Sequence, residues 1–325
     1  MRAMILEEAG KPLVLKNLAK PFAGENEIVI RVKACGVCRT DVHIADGDLK
    51  AKYPLIPGHQ IVGVVDSIGD KVTRFKPGDS VGVPWLSKTC QTCEYCLSGR
   101  ENLCDKAQFT GFSLNGGFAE YCAAHEDYSF NLDPSFKPFQ APLLCAGFIG
   151  YRAYRKIGQA QKIGLYGFGS SAHILIQLLN AQGKKAYVFT KQNDLNSQSF
   201  ALELGAVWAG SSEDMPPEKL DAAIIFAPVG ALYLDALKAL KKGGLVVSAG
   251  IHMSDIPSFP YRLLWEERTM TSVANLTRKD GYEFLELVKK IPINLSVTAF
   301  DLEQANEAIE AIRQGDIEGS VILTI

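Results

Sequence analysis

Four cysteines stand at a short, regular spacing in the first third of the sequence: Cys90, Cys93, Cys96 and Cys104. Thiolates are soft ligands that hold Zn²⁺ tetrahedrally, and four of them fill its coordination sphere and leave no position for a substrate. The spacing therefore predicts a structural zinc site. An iron–sulfur cluster is the alternative, because three cysteines at this spacing also occur in segments that bind such clusters.

A second set of ligand types is spread along the chain at Cys38, His59 and Cys145. Taken singly, a histidine in a Pro-Gly turn is usually a surface residue, and a cysteine within the apolar run PLLCAG usually packs in a core. Two thiolates and one imidazole together leave one position of a zinc ion open, which is what a catalytic zinc requires. The three residues are therefore candidate ligands of a second, catalytic zinc.

A glycine-rich segment after residue 165 has the pattern Gly-x-Gly-x-x-Ala. Its residues are Gly167, Gly169, Ser170, Ser171 and Ala172. The segment follows an apolar run typical of a strand and opens a run typical of a helix, and in that context it predicts a dinucleotide phosphate site at a helix N-terminus. The alternative is a turn whose glycines serve packing only.

The elements that must position these residues fall into two patterns. The chain has 325 residues, enough for about two domains, and 47% of them are hydrophobic, so it can bury a core. Residues 1–144 alternate short apolar runs with Gly/Pro turns and predict a β-rich domain. Residues 145–275 alternate strands with helices and predict a doubly wound sheet of six parallel strands, an α/β fold. Residues 276–325 break that rhythm and are expected to return to the first domain.

Charge and hydropathy exclude other classes of protein. The net charge is −2, so we expect neither a nucleic-acid nor a membrane partner, and a four-cysteine nucleic-acid-binding module is the disfavoured non-enzyme alternative. Polar residues interrupt the longest uncharged stretch, 163–183, so no membrane span is predicted. Glu7 and Glu8 stand where a secretory signal needs apolar residues, so we expect a cytoplasmic protein.

The order of elements, the four-cysteine loop, the run from Cys38 to His43 and the Gly58-His59 pair resemble the zinc-dependent alcohol dehydrogenases of the medium-chain dehydrogenase/reductase superfamily. The resemblance extends over essentially the whole chain. It implies a GroES-like catalytic domain followed by a Rossmann cofactor domain, with the active site between the two. It also implies that the two sets of ligands hold a catalytic and a structural zinc, respectively.

The resemblance assigns further roles near the catalytic ligands. Thr40 would take the proton of the alcohol, and His43 would pass that proton to solvent. Asp41 would hydrogen-bond His59 and fix its tautomer. Arg39 would meet the pyrophosphate of the cofactor, and Trp85 would line the substrate pocket.

Other positions concern the cofactor and the surroundings of the metal. Gln60 stands where the family usually has a glutamate, and a neutral amide is expected to approach the metal less well during ligand exchange. Four residues near the ends of the fifth and sixth strands of the cofactor domain are expected beside the nicotinamide: Gly250, Ile251, Val273 and Ala274.

The cofactor itself is predicted from the end of the second strand of the α/β domain. A carboxylate there would select NAD by hydrogen-bonding the adenosine ribose, but this chain has Thr190 and Lys191. A hydroxyl and a lysine suit a 2′-phosphate, so the sequence predicts NADP over NAD. The alternative is that Lys191 is a solvated loop charge and the selectivity is weak.

These observations predict an NAD(P)-dependent zinc alcohol dehydrogenase that interconverts a small primary or simple alcohol and its aldehyde. Related zinc polyol, threonine or formaldehyde dehydrogenases share the ligands and are the alternative enzymes, and an inactive relative that keeps only structural zinc is a further alternative. By resemblance alone, we expect a homo-oligomer, either a dimer or a tetramer.

Overall fold

The computed structural model describes residues 1–315 and 317–325. Its strands are β1 (Arg2–Ile5), β2 (Val14–Asn17), β3 (Glu27–Val37), β4 (Ile61–Ile68), β5 (Ser80–Val83), β6 (Leu86–Lys88), β7 (Gln108–Phe109), β8 (Tyr121–His125), β9 (Phe130–Asn131), β10 (Lys162–Tyr166), β11 (Lys185–Thr190), β12 (Trp208–Ser211), β13 (Leu220–Ile225), β14 (Leu240–Ser248), β15 (Thr269–Ser272), β16 (Val297–Asp301) and β17 (Ser320–Thr324). Its α-helices are α1 (Arg39–Asp46), α2 (Glu94–Leu97), α3 (Ala146–Lys156), α4 (Ser170–Ala181), α5 (Leu195–Glu203), α6 (Leu232–Ala239), α7 (Arg278–Val288) and α8 (Ala305–Gln314).

The chain divides into two compact units. The first unit contains Met1–Cys145, Leu276–Glu283 and Leu295–Ile325, and the second contains Ala146–Asn275 and Phe284–Asn294. The sequence predicted that 276–325 returns as one piece, whereas the structure places residues 284–294 in the second unit.

The reason for that difference is packing within the second unit. The ring of Phe284 meets that of Phe148 edge to face, with centroids 5.7 Å apart. The side-chain amide of Gln177 donates to the backbone oxygen of Asn294 at 2.9 Å. The return to the first unit is therefore made by the segments on either side of 284–294.

The main sheet of the first unit is mixed and is organised around β3. Its strand order is β16-β17-β3-β4-β5-β9, and β8 also pairs with β3. The sequence of β3, EIVIRVKACGV, turns apolar residues inward along most of its length, which suits a strand at the centre of a sheet. The last strand, β17, runs antiparallel to β3 with Val321 opposite Val37, so the end of the chain completes this sheet.

The sheet of the second unit is the one that the sequence predicted. Its order is β12-β11-β10-β13-β14-β15 and every pairing is parallel. Numbered within the unit this is 3-2-1-4-5-6, the order of doubly wound nucleotide-binding folds. The inner strands are almost continuously apolar because both faces of such a sheet are covered. The predicted six-stranded parallel sheet is confirmed.

A buried acid ties the four-cysteine loop to the start of α7. The side chain of Glu101, which lies between Cys96 and Cys104, accepts hydrogen bonds from the backbone nitrogen of Arg278 at 2.9 Å and from its Nε at 3.3 Å. The Arg278 guanidinium also lies over the ring of Tyr128, 5.1 Å from its centroid. A carboxylate at a helix N-terminus satisfies amides that the helix leaves unpaired and complements its dipole.

Within the part of the chain that the structure describes, the helices are too short or too polar to cross a lipid bilayer.

Candidate functional site

The structure gathers Cys38, His59 and Cys145 from three separate parts of the first unit. Cys38 follows β3 directly, His59 precedes β4, and Cys145 follows a 3₁₀ segment, Pro138–Leu144. The Sγ of Cys38 lies 3.3 Å from the Nε2 of His59, and the three potential ligand atoms all lie within 4.8 Å of one another. Tetrahedral zinc with bonds of about 2.0 to 2.3 Å needs ligand atoms about 3.5 to 3.8 Å apart, so the set fits such an ion.

Asp41 supports this ligand set from the first turn of α1. One of its oxygens, Oδ2, accepts a hydrogen bond from the backbone nitrogen of Cys38 at 2.9 Å. The other, Oδ1, lies 3.4 Å from the Nδ1 of His59, and both side chains are fully buried. A carboxylate on the outer nitrogen of a ligating histidine directs the other nitrogen at the metal.

The electrostatics of these side chains favour a bound cation. Burial raises the pKa of Asp41, although the His59 imidazole opposes this shift. Burial alone would lower the pKa of His59, but the charges of Asp41 and Cys38 outweigh it and raise that pKa to about 10. A hydrogen bond with Cys145 lowers the pKa of Cys38 well below its usual range. The buried Cys38 thiol is thus the group of this set whose negative form is favoured, and a divalent ion would neutralise that charge.

Gln60 is buried beside this ligand set. Its Nε2 has no hydrogen-bond partner among the described residues. Its Oε1 packs so closely on Gly36 that a Cβ added there would approach within 2.7 Å. The chain thus has a neutral amide at the position where the family pattern led us to expect an acid.

Thr40 and His43 lie one turn apart on α1, so both belong to the same side of the helix. The Nδ1 of His43 is 2.8 Å from the Oδ2 of Asp48. Asp48 reaches this position because Gly47 ends the helix in the left-handed conformation, with φ of 85°. Asp48 was not among the residues predicted from the sequence; its only signal was its place five residues beyond a candidate catalytic histidine.

The four-cysteine loop has the geometry of a closed tetrahedral site. The Sγ–Sγ distances are 3.9 Å for Cys90 and Cys96, 3.5 Å for Cys93 and Cys96, and 3.5 Å for Cys90 and Cys104. A zinc ion with bonds of about 2.3 Å to sulfur sets these edges at about 3.8 Å. A hydrogen bond from the backbone of Thr92 is the largest of the effects that lower the pKa of Cys90 to about 6, which favours the thiolate. Sulfurs this close suit a single ion better than a cluster of several irons.

Trp85 is buried beside the catalytic ligand set. Its indole meets the His59 imidazole nearly edge to face, with centroids 4.9 Å apart. Two further rings that the sequence analysis did not identify pack on it: Phe109 stacks at 5.2 Å and Phe112 lies at 5.6 Å. Nothing in their sequence context marked these phenylalanines, which stand 24 and 27 positions beyond Trp85.

The glycine-rich segment lies between β10 and α4, as predicted. Gly167 has a φ of +88°, and a Cβ there would come within 2.9 Å of Ala227, so glycine is required. Gly169 precedes the first residue of α4, and a Cβ placed on it would meet no atom within 4 Å. Ser170 and Ser171 form the first turn, and Ala172 packs in the core. A helix leaves the amides of its first turn without partners inside the helix, so this segment suits a pyrophosphate.

The end of β11 differs from the sequence-based expectation in one respect. The hydroxyl of Thr190 is buried, donates to the backbone oxygen of Lys191 at 3.0 Å and accepts from the Nε2 of Gln198 at 3.0 Å. It is therefore used within the fold, and its predicted role as a phosphate ligand is not supported. Lys191, in contrast to Thr190, is exposed.

The remaining predicted residues are placed as follows. Arg39 is exposed, and its Nη1 reaches the backbone oxygen of Arg313 at 3.5 Å. Gly250 and Ile251 follow β14, and Val273 and Ala274 follow β15. Because β14 and β15 are parallel neighbours, both pairs lie at the same edge of the sheet, the carboxyl edge at which such folds bind nucleotides.

Comparison with known proteins agrees with this geometry. The family model of the alcohol dehydrogenase GroES-like domain matches residues 24–134. A probable alcohol dehydrogenase, AdhA, of Mycobacterium tuberculosis is 40% identical over 324 residues, covering 97% of this chain and 93% of the relative. An alcohol dehydrogenase of Geobacillus stearothermophilus is 34% identical over the whole length of both chains, 100% of each.

A solved structure gives the same result at the level of the fold. A cinnamyl alcohol dehydrogenase of Sorghum bicolor superposes with a TM-score of 0.91 at 26% identity, covering 99% of this chain and 97% of that one. With relatives of this identity over nearly their full length, the chain belongs to the zinc-dependent alcohol dehydrogenase family of the medium-chain dehydrogenase/reductase superfamily and is an oxidoreductase that acts on alcohols.

Proposed function

We propose that this protein interconverts a primary or simple alcohol and its aldehyde by hydride transfer with a nicotinamide cofactor, using one catalytic and one structural zinc. The observation that carries the proposal is the set of two thiols and one imidazole in the first unit, whose ligand atoms lie within 4.8 Å of one another. Three protein ligands leave one position for the alcohol oxygen. Zinc in this set would lower the pKa of the alcohol hydroxyl by many units.

The residues around the ligand set would move the proton and orient the ligands. Asp41 holds His59 so that its Nε2 faces the ligand set. Thr40, at the start of α1, would accept the proton of the alcohol at its hydroxyl oxygen. His43, one turn further along α1, would pass a proton to solvent at Nε2, because its Nδ1 is held by Asp48.

The test of the proposal is the metal content of Cys145→Ala. The wild-type protein should contain two zinc ions per chain and oxidise alcohols, whereas the variant should keep one zinc and lose turnover. Cys122→Ala is the matched control, because Cys122 is a buried thiol that belongs to neither ligand set. A variant with undiminished activity would contradict the proposal, whereas a wild-type protein with one zinc per chain and no turnover would favour an inactive relative that keeps only its structural zinc.

The second part of the proposal is a preference for NADP over NAD, with Lys191 as the charge that meets the 2′-phosphate. No carboxylate stands at the end of β11, and the exposed Lys191 follows that strand directly. Lys191→Ala should weaken NADPH binding about tenfold, the size of one lost hydrogen bond to a charged group, and leave NADH binding unchanged. Fluorescence titrations with both cofactors measure this, and Lys185→Ala at the other end of β11 is the control. Equal losses for both cofactors would contradict the assignment.

The third part of the proposal is that the protein forms a homo-oligomer through the outer edge of β15. β15 is the last strand of its sheet, and the rings of Tyr261 and Trp265 beside it are 67% and 60% exposed. An open strand edge with exposed aromatic side chains favours pairing with a second copy.

A further inference from the structure

We propose that the hydroxyl groups of Thr89 and Tyr128 form a hydrogen-bond chain that ends on the Sγ of Cys96 and helps to retain the metal of the four-cysteine loop. Neither residue is a metal ligand. Both are positioning residues that act through the Cys96 sulfur. The inference rests on the structural zinc of the function proposed above and does not depend on which alcohol the protein oxidises.

The sulfur of Cys96 lies where the four-cysteine loop meets the interior of the first unit. Cys96 belongs to α2, none of whose residues is buried, whereas Thr89 and Tyr128 are only 5% and 2% exposed. The Sγ of Cys96 is 3.3 Å from the Oγ1 of Thr89. That oxygen is in turn 2.6 Å from the hydroxyl oxygen of Tyr128. The two hydroxyls therefore connect the loop to the interior, where a low local dielectric strengthens hydrogen bonds.

The chemistry of the sulfur fixes the direction of this chain. A cysteine that binds a metal is a thiolate, which accepts hydrogen bonds and has no proton to donate. The single proton of the Thr89 hydroxyl must therefore point at the sulfur, and the oxygen of Thr89 must accept from Tyr128. Burial raises the pKa of Tyr128, so its hydroxyl keeps the proton that this arrangement needs. Each hydroxyl thus donates toward the metal site.

Two other sulfurs of the loop accept hydrogen bonds from the backbone. The nitrogen of Cys93 donates to the Sγ of Cys90 at 3.3 Å, and the nitrogen of Cys90 donates to the Sγ of Cys104 at 3.5 Å. Four thiolates outweigh the charge of one divalent ion, so the site stays negative and such donors stabilise it. At Cys96 the donor is a side chain. A single substitution can therefore remove this hydrogen bond and leave the backbone of the loop unchanged.

The ring of Tyr128 is held by two neighbours. The guanidinium of Arg278 lies 5.1 Å from its centroid and is paired with Glu101, a residue of the four-cysteine loop itself. The imidazole of His125 meets the ring edge to face, with centroids 5.9 Å apart. A ring that is already fixed presents its hydroxyl to Thr89 without a further loss of conformational entropy when the metal binds.

The first experiment measures the rate at which zinc passes from the protein to the dye pyridylazoresorcinol. All variants contain Cys145→Ala, so the zinc observed is that of the four-cysteine loop. Loss of an outer partner of a ligand costs a metal site about ten- to a hundredfold in affinity, so Thr89→Val should release zinc faster by about that factor. Thr89→Ser keeps the hydroxyl and should release zinc at the parent rate. Tyr128→Phe should accelerate release less than Thr89→Val, because Thr89 can still donate to the sulfur.

The matched control is Thr110→Val. Thr110 is a threonine of the first unit that is only 3% exposed, and its hydroxyl has no hydrogen-bond partner among the described residues. The same change of side chain is therefore made at a buried site without removing a hydrogen bond to sulfur. This variant should release zinc at the parent rate.

The second experiment reads the sulfur directly, with Co²⁺ in place of zinc in the same variants. Thiolates bound to cobalt give an absorption band in which an electron moves from sulfur to metal. A hydrogen bond lowers the energy of the sulfur lone pairs, so its loss in Thr89→Val should shift this band to longer wavelength, and Thr89→Ser should restore it. A packing role alone would change the amount of bound cobalt and leave the position of the band unchanged. This measurement covers the case in which faster release reflects poor folding.

The outcomes separate this inference from the proposed function. Equal release rates for Thr89→Val and Thr110→Val, or an unshifted band, would overturn the hydrogen-bond chain, and alcohol oxidation by the wild type would still support the dehydrogenase. Faster release with a shifted band, in a protein whose wild type oxidises no alcohol, would support the chain and contradict the proposed function. A Cys145→Ala protein that contains no zinc would contradict the structural site and overturn the chain with it.

Discussion

The imidazole of His43 is held at one of its two nitrogens. Its Nδ1 is 2.8 Å from Asp48 Oδ2, and only a small part of the side chain reaches solvent. A carboxylate at Nδ1 keeps the proton on that nitrogen, so Nε2 is the basic nitrogen of the ring. In the proposed mechanism Asp48 would be a positioning residue that acts through His43.

Asp48→Asn should lower kcat about tenfold and change KM for the alcohol little. An amide can turn its NH₂ group toward Nδ1 and stabilise the wrong tautomer, and a positioned acid–base group contributes about 10²-fold or more in total. The measurement is kcat against pH from 6 to 9. The control is Asp46→Asn, at the last residue of α1. An unchanged kcat across this range would contradict a positioning role, whereas a loss restored by added imidazole would support it.

The residues that the sequence predicted and those that it missed differ in a physical way. The two candidate sets of metal ligands were predictable because few residue types bind zinc, and their spacing is meaningful even when the fold is unknown. Asp48 was not predictable, because its contact depends on the left-handed turn at Gly47. Phe109 and Phe112 were missed since their register against β6 is a tertiary property. Thr190 was predicted to bind the 2′-phosphate of the cofactor. The sequence does not show that its hydroxyl accepts a hydrogen bond from Gln198 within the fold.

At the scale of single elements, α4 contains a buried histidine. His173 is fully buried, and neither of its ring nitrogens has a hydrogen-bond partner among the described residues. Burial lowers its pKa from 6.5 to about 4, although the backbone of Gly169 and of Ser170 opposes the shift. The helix that follows the glycine-rich segment therefore contains a base that the folded state keeps neutral.

His173→Leu should make the protein less sensitive to acid. Between pH 6.5 and 4 the unfolded chain binds a proton at this imidazole that the folded chain excludes, so the free energy of unfolding falls as the pH falls. Below pH 4 this lowers the free energy of unfolding by about 3 kcal/mol, and above pH 6.5 it has no effect on that free energy. Urea unfolding from pH 7 to 4.5 measures it, with His252→Gln at an exposed histidine as control. The same pH slope in wild type and His173→Leu would contradict this account.

Whole elements were more predictable than their boundaries. The strands of the second unit were recognised because parallel strands that are buried on both faces are apolar throughout. The place where the C-terminal segment divides was not predictable, because α7 is amphipathic along its whole length. Tertiary contacts such as that of Phe284 with Phe148 show where the second unit resumes.

At the scale of the whole molecule, the open edge of β15 leads to a prediction about mass in solution. The wild type should sediment as a dimer or tetramer. Tyr261→Glu with Trp265→Glu should shift it to the monomer, because burying two carboxylates in an interface costs several kcal/mol each. Phe22→Glu, at another exposed ring, should leave the mass unchanged. A wild-type monomer at micromolar concentration would contradict the homo-oligomer.

The pairing of β17 with β3 has a consequence for how the protein is made on the ribosome. The second unit needs nothing beyond residue 294, whereas the sheet of the first unit lacks two neighbouring strands, β16 and β17, until residues 320–324 leave the exit tunnel. Translation therefore completes the second unit first, and one edge of β3 stays unpaired while more than two hundred further residues are synthesised. A ribosome-bound chain in which residues 1–300 are followed by a flexible linker long enough to span the exit tunnel should already resist protease across 146–275 while its first unit is still cleaved.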